Sequence, residues 1–161
     1  MSREKIQPLA EIVRYRDLLA DEGQRIVFTN GCFDLLHVGH VRYLQAARAL
    51  GEALIVAVNG DASVRALKGP TRPINSAEDR AEVLAALGCV DYVVIFDTER
   101  VTELVHAVRP HVYAKGGDYT MEQLDAEERW ALGEVGADIH ILPLVPGKST
   151  TATLEKMKSE G

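Results

Sequence analysis

His37 and His40 stand three residues apart with Gly39 between them, in the stretch NGCFDLLHVGH over residues 30–40. On a helix that spacing puts both rings on one face. A helix beginning there would add the positive end of its dipole and unpaired backbone N–H groups. Gly39 has no side chain to block close approach. The combination suits a polyphosphate, because an imidazole donates hydrogen bonds whether neutral or protonated. Taken singly, either histidine is equally well read as structural, one capping and one packed. H-x-G-H after a strand-like run arises by chance in a chain of this length on the order of once in a few hundred, so the pair is read as functional.

Other residues could join it. Lys68 and Arg72 share the loop LKGPTRP, and either binds a ligand there or is simply solvated. Arg80 falls in the first turn of a predicted helix, where a cation opposes the dipole; it serves a ligand or pairs with a neighbouring turn. Asp34 either makes an Asx turn or orients the site by holding a histidine tautomer or a metal-bound water. In AKGGDY, Gly116 and Gly117 allow a sharp turn close to a ligand. Lys115 could then meet a phosphate and Asp118 a ribose or sugar hydroxyl, and a plain turn is compatible with both. In GKSTT, Ser149 is a reasonable N-cap and Thr150 adds a hydroxyl. Cys32 reads as a small filler.

These residues need a scaffold. Leu9, Ile12, Val13 and Leu19 predict an amphipathic helix ending at Gly23. Strand-like RIVFTN, ALIVAVN, YVVIF, HVYAKG and DIHILPL then alternate with helix-like VRYLQAARAL, ASVRAL, SAEDRAEVLAALG, ERVTELVHAVR and TMEQLDAEERWALGEVG, and TTATLEKMK closes the chain. Asp61 is a predicted N-cap. Ser76 with Asp79, and Thr120 with Gln123, match capping boxes, and Gly88 is a stop. The alternation predicts an α/β fold with a five-stranded, doubly wound parallel sheet. Ligands in such sheets bind beyond the carboxyl ends of the strands, where Thr29, Asn30, Gly31 and Asn59 lie.

The chain has 161 residues, a net charge of -6 and 47% apolar residues. One domain is expected over residues 1–161, with an N-terminal helix at 1–23 and a core at 24–158. The charge argues against nucleic-acid binding. The two distant cysteines, Cys32 and Cys89, form no metal or redox spacing. No stretch predicts a membrane span or signal peptide, so a cytoplasmic protein with no membrane partner is expected. KMKS at residues 156–159 sits in a terminal helix and is read as a solvated helix end.

TNGCFDLLHVGHVRYL resembles the signature of the cytidylyltransferase-like nucleotidyltransferases, whose HxGH motif marks a Rossmann-like fold. More narrowly, FTNGCFDLLHVGH, LIVAVNGDASVRALKGPTRPIN, VYAKGGDY and PGKSTT resemble, in order and spacing, the adenylyltransferases that make ADP-heptose from D-glycero-D-manno-heptose 1-phosphate. The likeness covers roughly residues 25–158. It implies ATP and a sugar phosphate as substrates, with Mg²⁺ held mainly by the triphosphate and no protein metal site. It implies catalysis by His37, His40 and Lys68. Thr29, Asn30, Gly31, Phe33, Asp34, Gly39, Lys115, Gly116, Gly117, Asp118, Ser149 and Thr150 would contact nucleotide, with Phe33 either core or packed on adenine. Arg72, Arg80 and Asn59 would meet the substrate phosphate or sugar. In many bacteria the activity is fused to a sugar kinase, so a separate kinase chain is implied here. A homodimer rests on the resemblance alone. Two alternatives stay open: a cytidylyltransferase acting on glycerol 3-phosphate, and a nucleotide-sensing module without turnover.

Overall fold

The computed structural model describes residues 2–97, 101–117, 124–143 and 150–160. Five strands, β1 (Ile26–Gly31), β2 (Ala53–Asn59), β3 (Tyr92–Phe96), β4 (Val112–Gly116) and β5 (Asp138–Leu142), form one parallel sheet in the order β3-β2-β1-β4-β5. The helices are α1 (Leu9–Asp21), α2 (Val38–Arg48), α3 (Asp61–Lys68), α4 (Ala77–Ala85), α5 (Thr102–Val108), α6 (Ala126–Glu134) and α7 (Thr150–Glu160). The expected doubly wound α/β architecture is therefore present.

The apolar runs explain it. Every residue of β2 is buried, as a central strand covered on both faces requires. Ile26, Phe28, Ile55 and Tyr113 pack on one face with Ile12 of α1, Val105 of α5 and Leu132 of α6. Val27, Leu54, Val56 and Ala114 pack on the other with Leu44 of α2 and Leu84 of α4. Each large aliphatic side chain so buried contributes roughly 1.5–3 kcal/mol. These two layers fix the sheet, and polar groups at the strand ends only trim it.

Topology then locates a crevice. From β1 the chain winds outward through β2 to β3, and afterwards crosses to β4 and β5 on the other side. The reversal lies between β1 and β4, and such switch points open a cleft at the carboxyl ends. The β1–β4 ladder pairs Val27 with Val112 and Phe28 with Tyr113, whereas the β1–β2 ladder continues to Gly31 and Val58. The two strands part just below the site.

Several boundaries differ from expectation. Gly60, not Asp61, is the N-cap of α3, with no side-chain cap bond; Asp61 is the first helical residue and its carboxylate meets Arg80 at 2.9 Å instead. Helix α4 does begin at the Ser76 cap, whose hydroxyl accepts from Asp79 N–H, but it ends at Ala85, before Gly88. Helix α6 starts at Ala126 because Asp125 accepts the N–H groups of Glu127 and Glu128. Thr120 and Gln123 lie outside the described residues. The N-terminal segment is more than a helix: after a 3-10 turn at Ser2–Lys5, Ile6 makes a parallel bridge to Val93.

Candidate active site

The opening histidines cap α2. His37 is the N-cap, and its Nδ1 accepts from Gly39 N–H at 3.0 Å. His40 returns the arrangement, its Nδ1 accepting from His37 N–H at 3.3 Å. This is a capping box built from two imidazoles. An Nδ1 that accepts carries no proton, so the proton of each neutral ring is on Nε2. The ring centroids are 4.0 Å apart. Burial, and then the charge of His37, push the His40 pKa down to about 4. The site therefore holds a pair of Nε2–H donors, and at neutral pH His40 acts as a dipole rather than a cation.

The turn before α2 is held from inside. Phe33 takes a left-handed φ of 48° and packs in the core beneath α2 and α4, edge-on to His40 at 5.6 Å. A Cβ on Gly31 would lie 2.9 Å from the Phe33 ring, which explains that glycine. Asp34, whose side chain is 1% exposed, accepts from Ile74 N–H, Asn75 N–H and Arg72 Nε. Burial alone would raise its carboxyl, but those backbone N–H groups and Arg72 hold it below its ordinary value. Its carboxylate thus ties the Arg72–Asn75 segment to the β1 end, where an Asx turn, a hold on a histidine tautomer or a metal-bound water was expected.

Arg80 is enclosed more completely, with a side chain 0% exposed. Its guanidinium donates to Asn75 O, Cys32 O, Asn59 O and Asp61 Oδ1 at 2.7–3.0 Å. The cation at this helix start exists because four segments offer it oxygen atoms. A phosphate role was expected for it, but the donors it is seen to use are directed into the protein. Asn59, 3% exposed, donates through Nδ2 to Ser63 Oγ at 2.9 Å. Lys68 closes α3 and is exposed. Burial pushes the Cys32 thiol up, and the charges of Lys68, Arg80 and Arg72 oppose that rise. Arg72 is mostly covered and sits 2.7 Å from Asp34.

Across the crevice, β4 carries Lys115 and Gly116 to its end. Gly117 follows with φ 131° and its N–H bonded to Leu142 O at 3.1 Å, a conformation that favours glycine. Asp118 and Ser149 lie outside the described residues; Thr150 is the first residue of α7. Two tyrosines that no sequence motif marks also stand here. Tyr43, one turn after His40, shares a hydrogen bond with Thr29 Oγ1 and donates to Ala114 O. Tyr113 donates to Asn30 Oδ1. Their signal was faint: a phenol at i+3 from His40, and another at a position otherwise suited to an aliphatic residue.

A depression of about 650 Å³ lies between the β1–α2 turn and α4, lined by Phe33, Asp34, Leu36, Asn75, Arg80 and Val83 among others. Among the described residues no three His, Cys, Asp or Glu side chains cluster as a metal site. Among them, too, no helix is long and apolar enough to cross a membrane.

A parallel sheet with a switch point beside a histidine-capped helix is the frame of a nucleotide-binding transferase fold. Residues 28–155 match the model of the cytidylyltransferase-like family, and the chain belongs to that family. It is 47% identical over 155 residues to the bifunctional protein HldE of Syntrophotalea carbinolica, covering 96% of this chain and 30% of that protein. To HldE of Wolinella succinogenes it is 48% identical over 162 residues, covering 98% and 31%. The chain thus spans about a third of the length of these relatives. Among solved structures it resembles the lipopolysaccharide core biosynthesis protein from Thermoplasma volcanium, with a TM-score of 0.62 and 28% identity over 76% of this chain and 98% of that one. Pantoate-beta-alanine ligase from Francisella tularensis shares the fold, with a TM-score of 0.57 and 14% identity over 86% of this chain and 66% of that one.

Proposed function

We propose that the protein is an adenylyltransferase that moves AMP from ATP to D-glycero-D-manno-heptose 1-phosphate, releasing pyrophosphate and forming ADP-heptose. The observation that carries this reading is the paired imidazole cap of α2, beside the β1–β4 crevice. The sugar-phosphate oxygen attacks the α-phosphorus, and the bond to the bridging oxygen of pyrophosphate breaks. The acceptor phosphate is already ionised at neutral pH, so no strong base is needed. What the reaction needs is alignment and stabilisation of spreading negative charge. Two Nε2–H donors fixed by their own caps meet that need without reorganising. Lys68, exposed at the end of α3, would add a mobile positive charge. Arg80 and Asp34 hold the frame.

Mg²⁺ would screen the β- and γ-phosphates. In this reading it arrives bound to the triphosphate. The identity of the sugar rests on the likeness to the heptose enzymes across the strand-end segments. The relatives are named bifunctional proteins, and a kinase activity acting before the transfer would supply the sugar phosphate.

The test is pyrophosphate release with ATP and with CTP, each against a panel of sugar and polyol phosphates that includes heptose 1-phosphate and glycerol 3-phosphate. Release with ATP and heptose 1-phosphate, well above every other pair, is expected. A preference for CTP and glycerol 3-phosphate would replace the reading with the cytidylyltransferase one. Nucleotide binding without turnover on any acceptor would leave a sensor.

A further inference from the structure

One side chain bridges the two walls of the crevice without a part in the transfer chemistry itself. Beyond the paired Phe28 and Tyr113, the next residues along the two diverging strands are Thr29 and Ala114. The Tyr43 hydroxyl sits between them, hydrogen-bonded to Thr29 Oγ1 and donating to Ala114 O at 2.9 Å. A phenol has one proton, and that proton goes to the carbonyl. The Thr29 hydroxyl must therefore be the donor to Tyr43, giving a directional chain from β1 through α2 to β4. Thr29 is fully buried, and burial pushes the Tyr43 phenol up to about 12, so the chain stays protonated at any working pH. The ring also touches the β4 turn: a Cβ on Gly116 would lie 3.1 Å from Tyr43 Cε2.

Alternation along β1 turns Thr29 towards the α2 side, and α2 carries His37 and His40 at its start. The same hydroxyl thus touches both walls of the crevice and belongs to the helix that bears the phosphate donors. We propose that Tyr43 is a positioning residue for the transfer reaction, setting the gap between the histidine-capped helix and the Lys115–Gly117 turn at the fork of β1 and β4. The proposal rests on the transferase reading above. Its physical basis is the sensitivity of a displacement at phosphorus to alignment, where a 1 Å error costs about 10²-fold.

Tyr43→Phe keeps the ring against Gly116 and removes the hydroxyl; Thr29→Val removes the other end of the chain at nearly constant shape. Steady-state pyrophosphate release is measured for each, with whichever nucleotide and acceptor the wild type turns over, alongside thermal midpoints. Tyr43→Phe should lower kcat about tenfold, part of the penalty for a full 1 Å error, with KM for the nucleotide within about twofold. Loss of the hydroxyl's two hydrogen bonds, with Thr29 Oγ1 and Ala114 O, should lower the midpoint by roughly 4–8 °C. Thr29→Val should lower kcat to a similar level, and the double variant no further. Wild-type kcat in Tyr43→Phe, or losses that multiply in the double variant, would overturn the proposal while the transferase reading stood. A wild type that releases no pyrophosphate from ATP or CTP with any acceptor would overturn that reading, and this proposal with it.

Discussion

His37 and His40 do two jobs with two nitrogens. Nδ1 serves the helix cap and, in the proposed reaction, Nε2 is the donor to substrate, so removing a ring confounds fold and chemistry unless the substitute can still cap. Asparagine is a strong N-cap and alanine a poor one. His37→Asn should keep the thermal midpoint near wild type yet lower turnover by about 10²-fold, the scale of losing one oriented donor. His37→Ala should add a loss of about 1 kcal/mol of stability. Equal turnover in His37→Asn and wild type would remove His37 from the chemistry. His40 makes a separate prediction through pH. Its folded pKa of about 4 lies below the ordinary value of 6.5, so between those values the unfolded chain binds a proton that the native one refuses. Stability must fall as pH drops through that window. The His40 share between pH 7 and 5 is about 2 kcal/mol. Urea unfolding of His40→Gln across that range should show a correspondingly shallower decline; parallel curves for variant and wild type would contradict it. The place of the pair at a helix start was legible in the sequence, and His37 and His40 cap α2 there. The charge state was not, because it depends on which nitrogen the backbone occupies and on burial by residues far along the chain.

Elements were legible wherever one pattern ruled. ALIVAVN and YVVIF read as strands because they are near-continuous apolar runs, and β2 and β3 occupy those residues. Ends were harder. Asp61 looks like a cap by type, yet Gly60 holds that position while Arg80, 19 residues on, claims the carboxylate. No local rule reveals such a partner. The same partner gives α4 its place: Arg80 links the ends of β1 and β2, the start of α3 and the lead into α4 through one planar group. A lysine carries the charge but not the fork. Arg80→Lys should therefore cost about 3 kcal/mol, since carbonyl groups are left unpaired around a buried cation. Denaturant titration should show a lower midpoint with unchanged slope. A loss below about 1 kcal/mol would mean that the segments hold their places without the guanidinium.

At the scale of the whole molecule, the strand order follows from how the two apolar layers close over a sheet that reverses between β1 and β4, and residue types alone gave no sign of how the outer edges are treated. Beyond β3 the chain lays its own N-terminus along the edge: Ile6 bridges Val93, Gln7 N–H donates to Val93 O at 3.0 Å, and Lys5 Nζ reaches Leu87 O at 3.1 Å. An uncovered edge offers unpaired N–H and C=O groups to any other strand, so this short segment protects the sheet as well as extending it. The edge is two strand positions from β1, about 10 Å away at the usual strand spacing. Removing residues 2–7 should then separate two properties. The truncated chain should self-associate more strongly than the full chain as concentration rises, followed by sedimentation, and its thermal midpoint should drop by several degrees, as the loss of about 1 kcal/mol or more implies. Turnover per folded molecule should stay within about twofold, because Ile6 meets the layer beneath α2 and α4 at its β3 margin, away from the β1–β4 fork. Identical sedimentation and midpoint in the two chains would show that β3 needs no cover. A large loss of turnover would mean that the N-terminal segment reaches the crevice through the sheet.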